Sequence, residues 1–295
     1  MTAINKHAAA VISGGFCWGF MGFFTRNLQE YGIGPNGAII VRCGIAAVCF
    51  ALMILVTGPG QFRIRLRDLW CFLGTGLLSL LFFTFCYFHA ISMMNLSTAA
   101  ILLYTAPTIV MLLSAFLFRE KITGRKILAA VMAFTGCCLV SGMGTGTVLT
   151  AKGLLFGLGA GFGYALYTIF SRYALQRGYS SAAINFYSCA LAAAGAFLIW
   201  RPQGTAGAMV SSVPAFLWCL GTGVLSCFLP YMLYTWGLTG LENGKASILA
   251  SVEPVVASVI GVIVFREKLT LQALAGILLV LAAIILLNTG GKQEA

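Results

Sequence analysis

The chain of 295 residues carries 60% hydrophobic and only 8% charged side chains, with a mean hydropathy of +0.97. Soluble domains carry about 25% charged residues, so this chain lacks the polar surface that water demands and reads as an integral membrane protein. Its net charge of +11 comes with no basic helix and no aromatic RNA motif, which excludes nucleic acid as the expected partner and assigns the excess Lys and Arg to cytoplasmic loops.

In chain order, Lys6, His7 and the apolar run Ala8–Phe24 outline a signal peptide. The run has no small-residue cleavage site and recurs internally, so it is expected to be a retained first span. A spanning helix needs about 20 mostly apolar residues. Such segments lie near 8–25, 37–57, 69–91, 96–118, 125–143, 152–171, 182–200, 214–238, 245–265 and 270–288. Ten helices are therefore expected, with connections too short for a soluble domain. The 10 cysteines all fall in apolar segments, the adjacent Cys137 and Cys138 included. They show neither zinc spacing nor disulfide-loop placement. They are expected to be small buried apolar residues, with no metal and no cofactor.

The stretch Leu73–Thr123 occurs twice. A slide of 147 positions lays it on Leu220–Thr270 without a gap. Gly74-Thr75-Gly76 meets Gly221-Thr222-Gly223, Tyr87 meets Tyr234, and Pro107 meets Pro254. Phe118-Arg119-Glu120-Lys121 meets Phe265-Arg266-Glu267-Lys268. A slide of 146 aligns the earlier part, with Trp18 on Tyr164 and Arg26 on Arg172. The expected fold is thus all-α and integral to the membrane, with five helices in each copy (8–141 and 153–288).

With the N-terminus in the cytoplasm, Arg63, Arg65, Arg67, Arg119, Lys121, Arg125, Lys126, Arg172 and Arg177 gather on the inner side with Lys6, Lys245 and Lys292. The outer side holds Arg26, Lys152, Arg201, Arg266 and Lys268. That bias orients the chain with both termini cytoplasmic in an inner (plasma) membrane. Five is odd, so the second copy must lie upside down relative to the first. Inverted repeats of this kind are a secondary-transporter architecture.

The order of features resembles the drug/metabolite transporter superfamily, in particular the EamA-type ten-helix permeases. The resemblance rests on Trp18-Gly19 followed by Arg26, on Arg42, and on the fourth and ninth helices, each with a mid-helix proline and a closing Arg-Glu-Lys-x-Thr. It implies a carrier of small metabolites, commonly amino acids or related compounds, with a central cavity between the two halves.

Ionisable groups within a bilayer are costly and are functional candidates by default. Glu253 is the one acidic residue deep in a span, eight residues past Lys245 and so roughly 12 Å in. It precedes Pro254, whose missing N–H can kink the helix. A carboxyl there could bind a substrate ammonium or take up a coupling proton, or sit neutral and hydrogen-bonded to a neighbouring helix. Arg42 is expected to snorkel to the outer interface or bond backbone carbonyls. Pairing with a substrate carboxylate or with Glu253 is the alternative.

Trp18, Tyr104, Tyr164 and Trp236 are expected cavity walls or gates, with His89 a weaker candidate and interface anchoring the competing reading. Pro107, Pro230 and Pro254 fall within spans and are expected hinges. The glycine-rich Gly157–Gly163 has no strand before it, so close helix packing is expected rather than phosphate binding.

A membrane-embedded enzyme would need a nucleophile with a base or paired aspartates, and a channel would need filter repeats or charged rings; neither pattern is present. The expected function is alternating-access transport, as an exporter, of a small amino-acid-like or cationic metabolite, with protons as a possible coupling partner. A proton-coupled drug or nucleotide-sugar carrier is the alternative.

Overall fold

A computed structural model describes residues 6–94, 96–142, 150–201, 203–266 and 270–289. Every regular element among them is helical. Ten long helices follow in order: α1 (Lys6–Glu30), α2 (Pro35–Thr57), α3 (Leu66–Met93), α4 (Thr98–Phe118), α5 (Gly124–Val140), α6 (Ala151–Gln176), α7 (Ser181–Trp200), α8 (Val213–Leu238), α9 (Asn243–Phe265) and α10 (Leu271–Asn288). A short helix, Thr205–Met209, joins α7 to α8.

Nine of these are long and apolar enough to cross a membrane. The exception is α5, which has 17 residues where a span near 125–143 was expected, at the short end of the spanning range. The end of that span, and Glu267, Lys268 and Lys292, lie outside the described residues.

The molecule is apolar outside and partly polar inside, as a lipid solvent requires. Val56, Phe116, Leu155 and Leu271 are exposed, whereas Thr75, Ser79, Asn185, Ser188, Thr222, Ser226 and Thr235 are buried. With lipid as apolar as leucine, helix association depends on close approach at small residues. α5 lies along α10, and Gly136 meets Gly276 there so tightly that a Cβ on either would fall 2.6–2.7 Å from the other's carbonyl oxygen. Overpacking of that kind costs about 1–3 kcal/mol. Gly276→Val should accordingly lower the melting temperature of the detergent-solubilised protein by several degrees; an unchanged melting curve would mean the α5–α10 seam is loose.

Backbone irregularities fall at matching positions in the two copies of the duplicated stretch. α3 widens into a π-helical stretch at Gly74–Leu81 and α8 does so at Val224–Phe228, both ending on paired residues of the 147-position slide. α4 breaks at Tyr104–Thr105 and α9 at Ala250–Ser251. Arg119 and Arg266 close those helices in the left-handed conformation, at φ 56° and 53°. Thr123 and Thr270 then cap the next helices through their hydroxyls.

Each break is also covered in the same way. Gly15 of α1 lies against the Ala250 carbonyl, and Gly161 of α6 against the carbonyls of Leu102 and Leu103. Gly157 and Gly163 pack likewise against Leu102 and Phe83, so the glycine-rich piece of α6 serves helix packing.

Candidate functional site

The breaks in α4 and α9 determine where the polar groups go. Proline has no N–H to lose in the first turn of a helix. Pro107 and Pro254 each occupy that turn just after a break, and Pro230 does so just after the π-helical stretch of α8. Restarting α9 at Val252 places Glu253 in the first turn of the new half-helix, where free N–H groups and the helix dipole favour negative charge. Glu253 lines a cavity of about 20 Å³ with Tyr104, Ala106, Pro107, Tyr164, Ser247 and Ser251.

Tyr164 also belongs to the wall of a second cavity, of about 10 Å³, shared with Trp18, Ser79, Phe83, Tyr231 and Tyr234. Volumes of this size hold about one water each. Trp18 is buried at the centre. Its ring meets those of Tyr231 at 5.1 Å, Tyr234 at 5.3 Å and Tyr164 at 6.3 Å. The structure therefore brings together Glu253, Tyr104, Tyr164 and Trp18 of the expected residues.

Arg42 reaches the same group from α2. It makes neither the expected carbonyl bond nor an ion pair with Glu253 among the described residues. Its Nη1 points at Met21 Sδ, 2.7 Å away, and its Nε is buried without a hydrogen-bond partner. Tyr231 and Cys227 lie beside it, and its charge reaches Glu253. A guanidinium left with an unanswered donor in an apolar interior is poised for an anion.

His89 and Trp236 are not part of this group. The His89 ring stacks on Phe156 at 5.0 Å, with Nδ1 2.8 Å from the Phe85 carbonyl, and lines a separate cleft with Asn36 and Trp200. Trp236 is 37% exposed and lies against His7 with ring centroids 4.7 Å apart.

Several residues of the site escaped the sequence reading. Tyr167 bonds Asn185 Oδ1 and, at 2.8 Å, Thr235 Oγ1, while Asn185 Nδ2 donates to the Tyr231 carbonyl at 3.2 Å. This buried network ties α6, α7 and α8 together behind the aromatic wall. Asn185 is the one amide in an otherwise apolar α7, and that was the available signal.

A second polar assembly closes the end that the charge bias assigns to the cytoplasm. The Glu120 carboxylate, just past α4, accepts from the Asn243 N–H at 2.8 Å and the Gly244 N–H at 3.3 Å, at the start of α9. Arg172 of α6 donates to Asn243 Oδ1 at 2.7 Å and to the Leu241 carbonyl. Lys126 of α5, itself buried, pairs with Glu242 at 2.5 Å and donates to the Lys121 carbonyl at 2.7 Å. At the opposite end, Arg26 lies over the Phe265 ring at 4.1 Å. The counterparts of Lys126, Glu242 and Asn243 there are Ala273, Asn95 and Leu96. The Lys126–Glu242 ion pair therefore has no counterpart in the sequence at that end.

Broken half-helices facing a polar and aromatic interior, inside an apolar exterior, define a multi-pass membrane protein. The EamA-like transporter family matches residues 6–142 and again 151–289. The chain belongs to that family and is a membrane transporter. An uncharacterized transporter of Archaeoglobus fulgidus is 31% identical over 68% of this chain and 70% of its own length. The uncharacterized inner membrane transporter YicL of Salmonella typhimurium is 23% identical over 100% and 99%. A solved crystal structure, at 15% identity and 96% coverage of both chains, superimposes with a TM-score of 0.81; that is a likeness of fold alone.

Proposed function

We propose that this protein is a ten-span secondary carrier that moves an amino-acid-like zwitterion across the inner membrane by alternating access. Its halves, 8–141 and 153–288, are read as inverted repeats with both termini cytoplasmic. The odd number of helices per copy and the charge bias support that orientation. The matching breaks in α4 and α9 support two equivalent moving parts.

The observation that carries the substrate class is the flanking of the Trp18 cluster by two opposite charges. Glu253 adjoins Tyr164 on one side, and the unpaired Arg42 adjoins Tyr231 on the other. A carboxylate matches an ammonium, a guanidinium matches a carboxylate, and the rings between them match an apolar side chain. Pro107, Pro230 and Pro254 are the hinges of this reading, and Tyr104 and Tyr164 its gates.

The test compares an amino acid with its decarboxylated amine. Charge-assisted hydrogen bonds contribute about 1.5–3 kcal/mol, or roughly 10–150-fold in affinity. Arg42→Gln should raise KM for the amino acid by that factor and leave the amine nearly unaffected, while Arg42→Lys restores part of the preference. Equal losses for both compounds would remove Arg42 from carboxylate recognition. Preference for a lipophilic cation over every amino acid would favour the proton-coupled drug carrier instead.

A further inference from the structure

At the end of the molecule that carries the polar clasp, the connection from α2 and the first turn of α3 hold Arg63, Arg65 and Arg67 within five residues. Two tyrosines fasten this connection to the protein. Tyr187 donates to the Phe62 carbonyl at 2.7 Å, and the Tyr179 hydroxyl accepts from the Arg65 N–H at 3.1 Å. Arg63 and Arg65 have extended backbone, and successive side chains of an extended chain point to opposite sides. Ile64 accordingly packs inward against the Cys71, Phe72, Ala174 and Ile184 cluster, while Arg63 and Arg65 stand outward and exposed.

The nearest carboxylate does not cancel them. Asp68 is buried and already satisfied by Arg177 Nε at 3.0 Å and the Tyr179 hydroxyl at 2.8 Å. Arg63, Arg65 and Arg67 make no ion pair among the described residues. Arg65, Arg67, Asp68, Trp70 and Arg177 together line an open groove of about 440 Å³.

The apolar neighbours decide which anion suits this groove. Leu66, between two of the arginines, is 86% exposed, and Val56 at the end of α2 is 88% exposed. Trp70 is partly exposed, and Arg177 lies 4.9 Å over its ring. Aromatic side chains with one wet end and one apolar end belong at the headgroup level of a bilayer. A free phosphate would satisfy the arginines and leave Leu66, Val56 and Trp70 without a partner. A phospholipid answers both, with its phosphodiester on the arginines and its acyl chains on the apolar residues.

We propose that this groove is a binding site for the headgroup of an anionic phospholipid such as phosphatidylglycerol. It needs no substrate and no transport step, only that these side chains lie at the bilayer surface, so its test is separate from that of the carrier reading.

The test uses the full-length protein in detergent, with melting temperature followed as lipid is titrated. Phosphatidylglycerol should stabilise the wild type, whereas phosphatidylcholine and soluble glycerol 3-phosphate should not. Each surface arginine contributes roughly fivefold to anionic-lipid affinity. Arg63→Gln/Arg65→Gln/Arg67→Gln should therefore shift the half-maximal phosphatidylglycerol concentration by about a hundredfold, and the triple Lys variant should shift it little.

Salt gives a readout without mutation. At about 1 M the Debye length falls to about 3 Å, and the phosphatidylglycerol response of the wild type should largely vanish. Equal stabilisation by phosphatidylcholine, an unshifted titration in the triple Gln variant, or a salt-insensitive response would each overturn the site. A matching response to glycerol 3-phosphate would overturn the lipid assignment in favour of a soluble anion.

Discussion

Glu253→Gln is expected to cut substrate flux in proteoliposomes by tenfold or more at unchanged expression, and to flatten whatever pH dependence the wild type shows. The amide keeps the size and shape of the carboxyl but can neither ionise nor take up a proton. The packing around Pro254 and the α1 contact at Gly19, where a Cβ would fall 2.9 Å from the Glu253 carbonyl oxygen, should be undisturbed. Loss of one charge-assisted contact to an ammonium accounts for roughly 10–150-fold. If the carboxyl also carries a coupling proton, the loss goes to completion for uphill transport while exchange of substrate across the membrane persists. Flux and pH profile equal to wild type would dismiss Glu253 from both roles.

The second large effect is expected at the clasp. The Glu120 carboxylate accepts from the Asn243 and Gly244 amides, and both residues are buried at the start of α9. Removing it leaves those donors unanswered and takes a negative charge from the positive end of α9. Charge-assisted bonds of about 1.5–3 kcal/mol imply a shift of roughly 10–150-fold toward opening at this end. Glu120→Ala should speed hydrogen exchange at Asn243 and Gly244 by that order, with exchange in the α5–α10 seam unchanged. Arg172→Gln should act in the same direction, because Arg172 holds the Asn243 side chain and the Leu241 carbonyl. Wild-type exchange in both variants would show that the clasp does not control this end. A mirror-image variant at the other end, Arg26→Gln, should leave these amides untouched.

One part of the clasp is not repeated by the duplication. Ala273 and Asn95 stand at the counterpart positions of Lys126 and Glu242 and cannot form that ion pair. Opening at the clasp would break several polar contacts together. Because Lys126 is buried, losing Glu242 alone would leave an uncompensated charge, which is more costly than losing the pair. Lys126→Ala and Glu242→Ala combined should therefore be milder than Glu242→Ala by itself, as read by the same exchange experiment.

Composition alone settled that the chain lives in lipid, because 8% charged residues cannot clothe a soluble surface. Duplication was equally legible, since a paired proline and the Phe-Arg-Glu-Lys run recur in one frame, and the left-handed Arg119 and Arg266 show that local sequence sets local backbone. Glu253 and the proline after it could be picked out because a lone carboxyl deep in an apolar run is costly enough to stand out.

What each side chain meets was decided only by tertiary packing. Tyr231, Tyr167 and Thr235 look like any other polar residues of an apolar helix, yet Tyr231 and Tyr167 line the cavity beside Trp18 and Thr235 bonds Tyr167 behind them. Trp236 reads as a cavity wall and His89 as a weaker candidate, and both lie elsewhere. Helical periodicity determines the face a residue occupies but not which helix packs on that face. Arg42 illustrates the difference: its depth suggested snorkelling, whereas Met21, Cys227 and Tyr231 surround it and leave its Nε unanswered. The pairing of helices lets Gly15 and Gly161 reach broken backbone in the other copy, a contact between distant segments that helical periodicity does not encode.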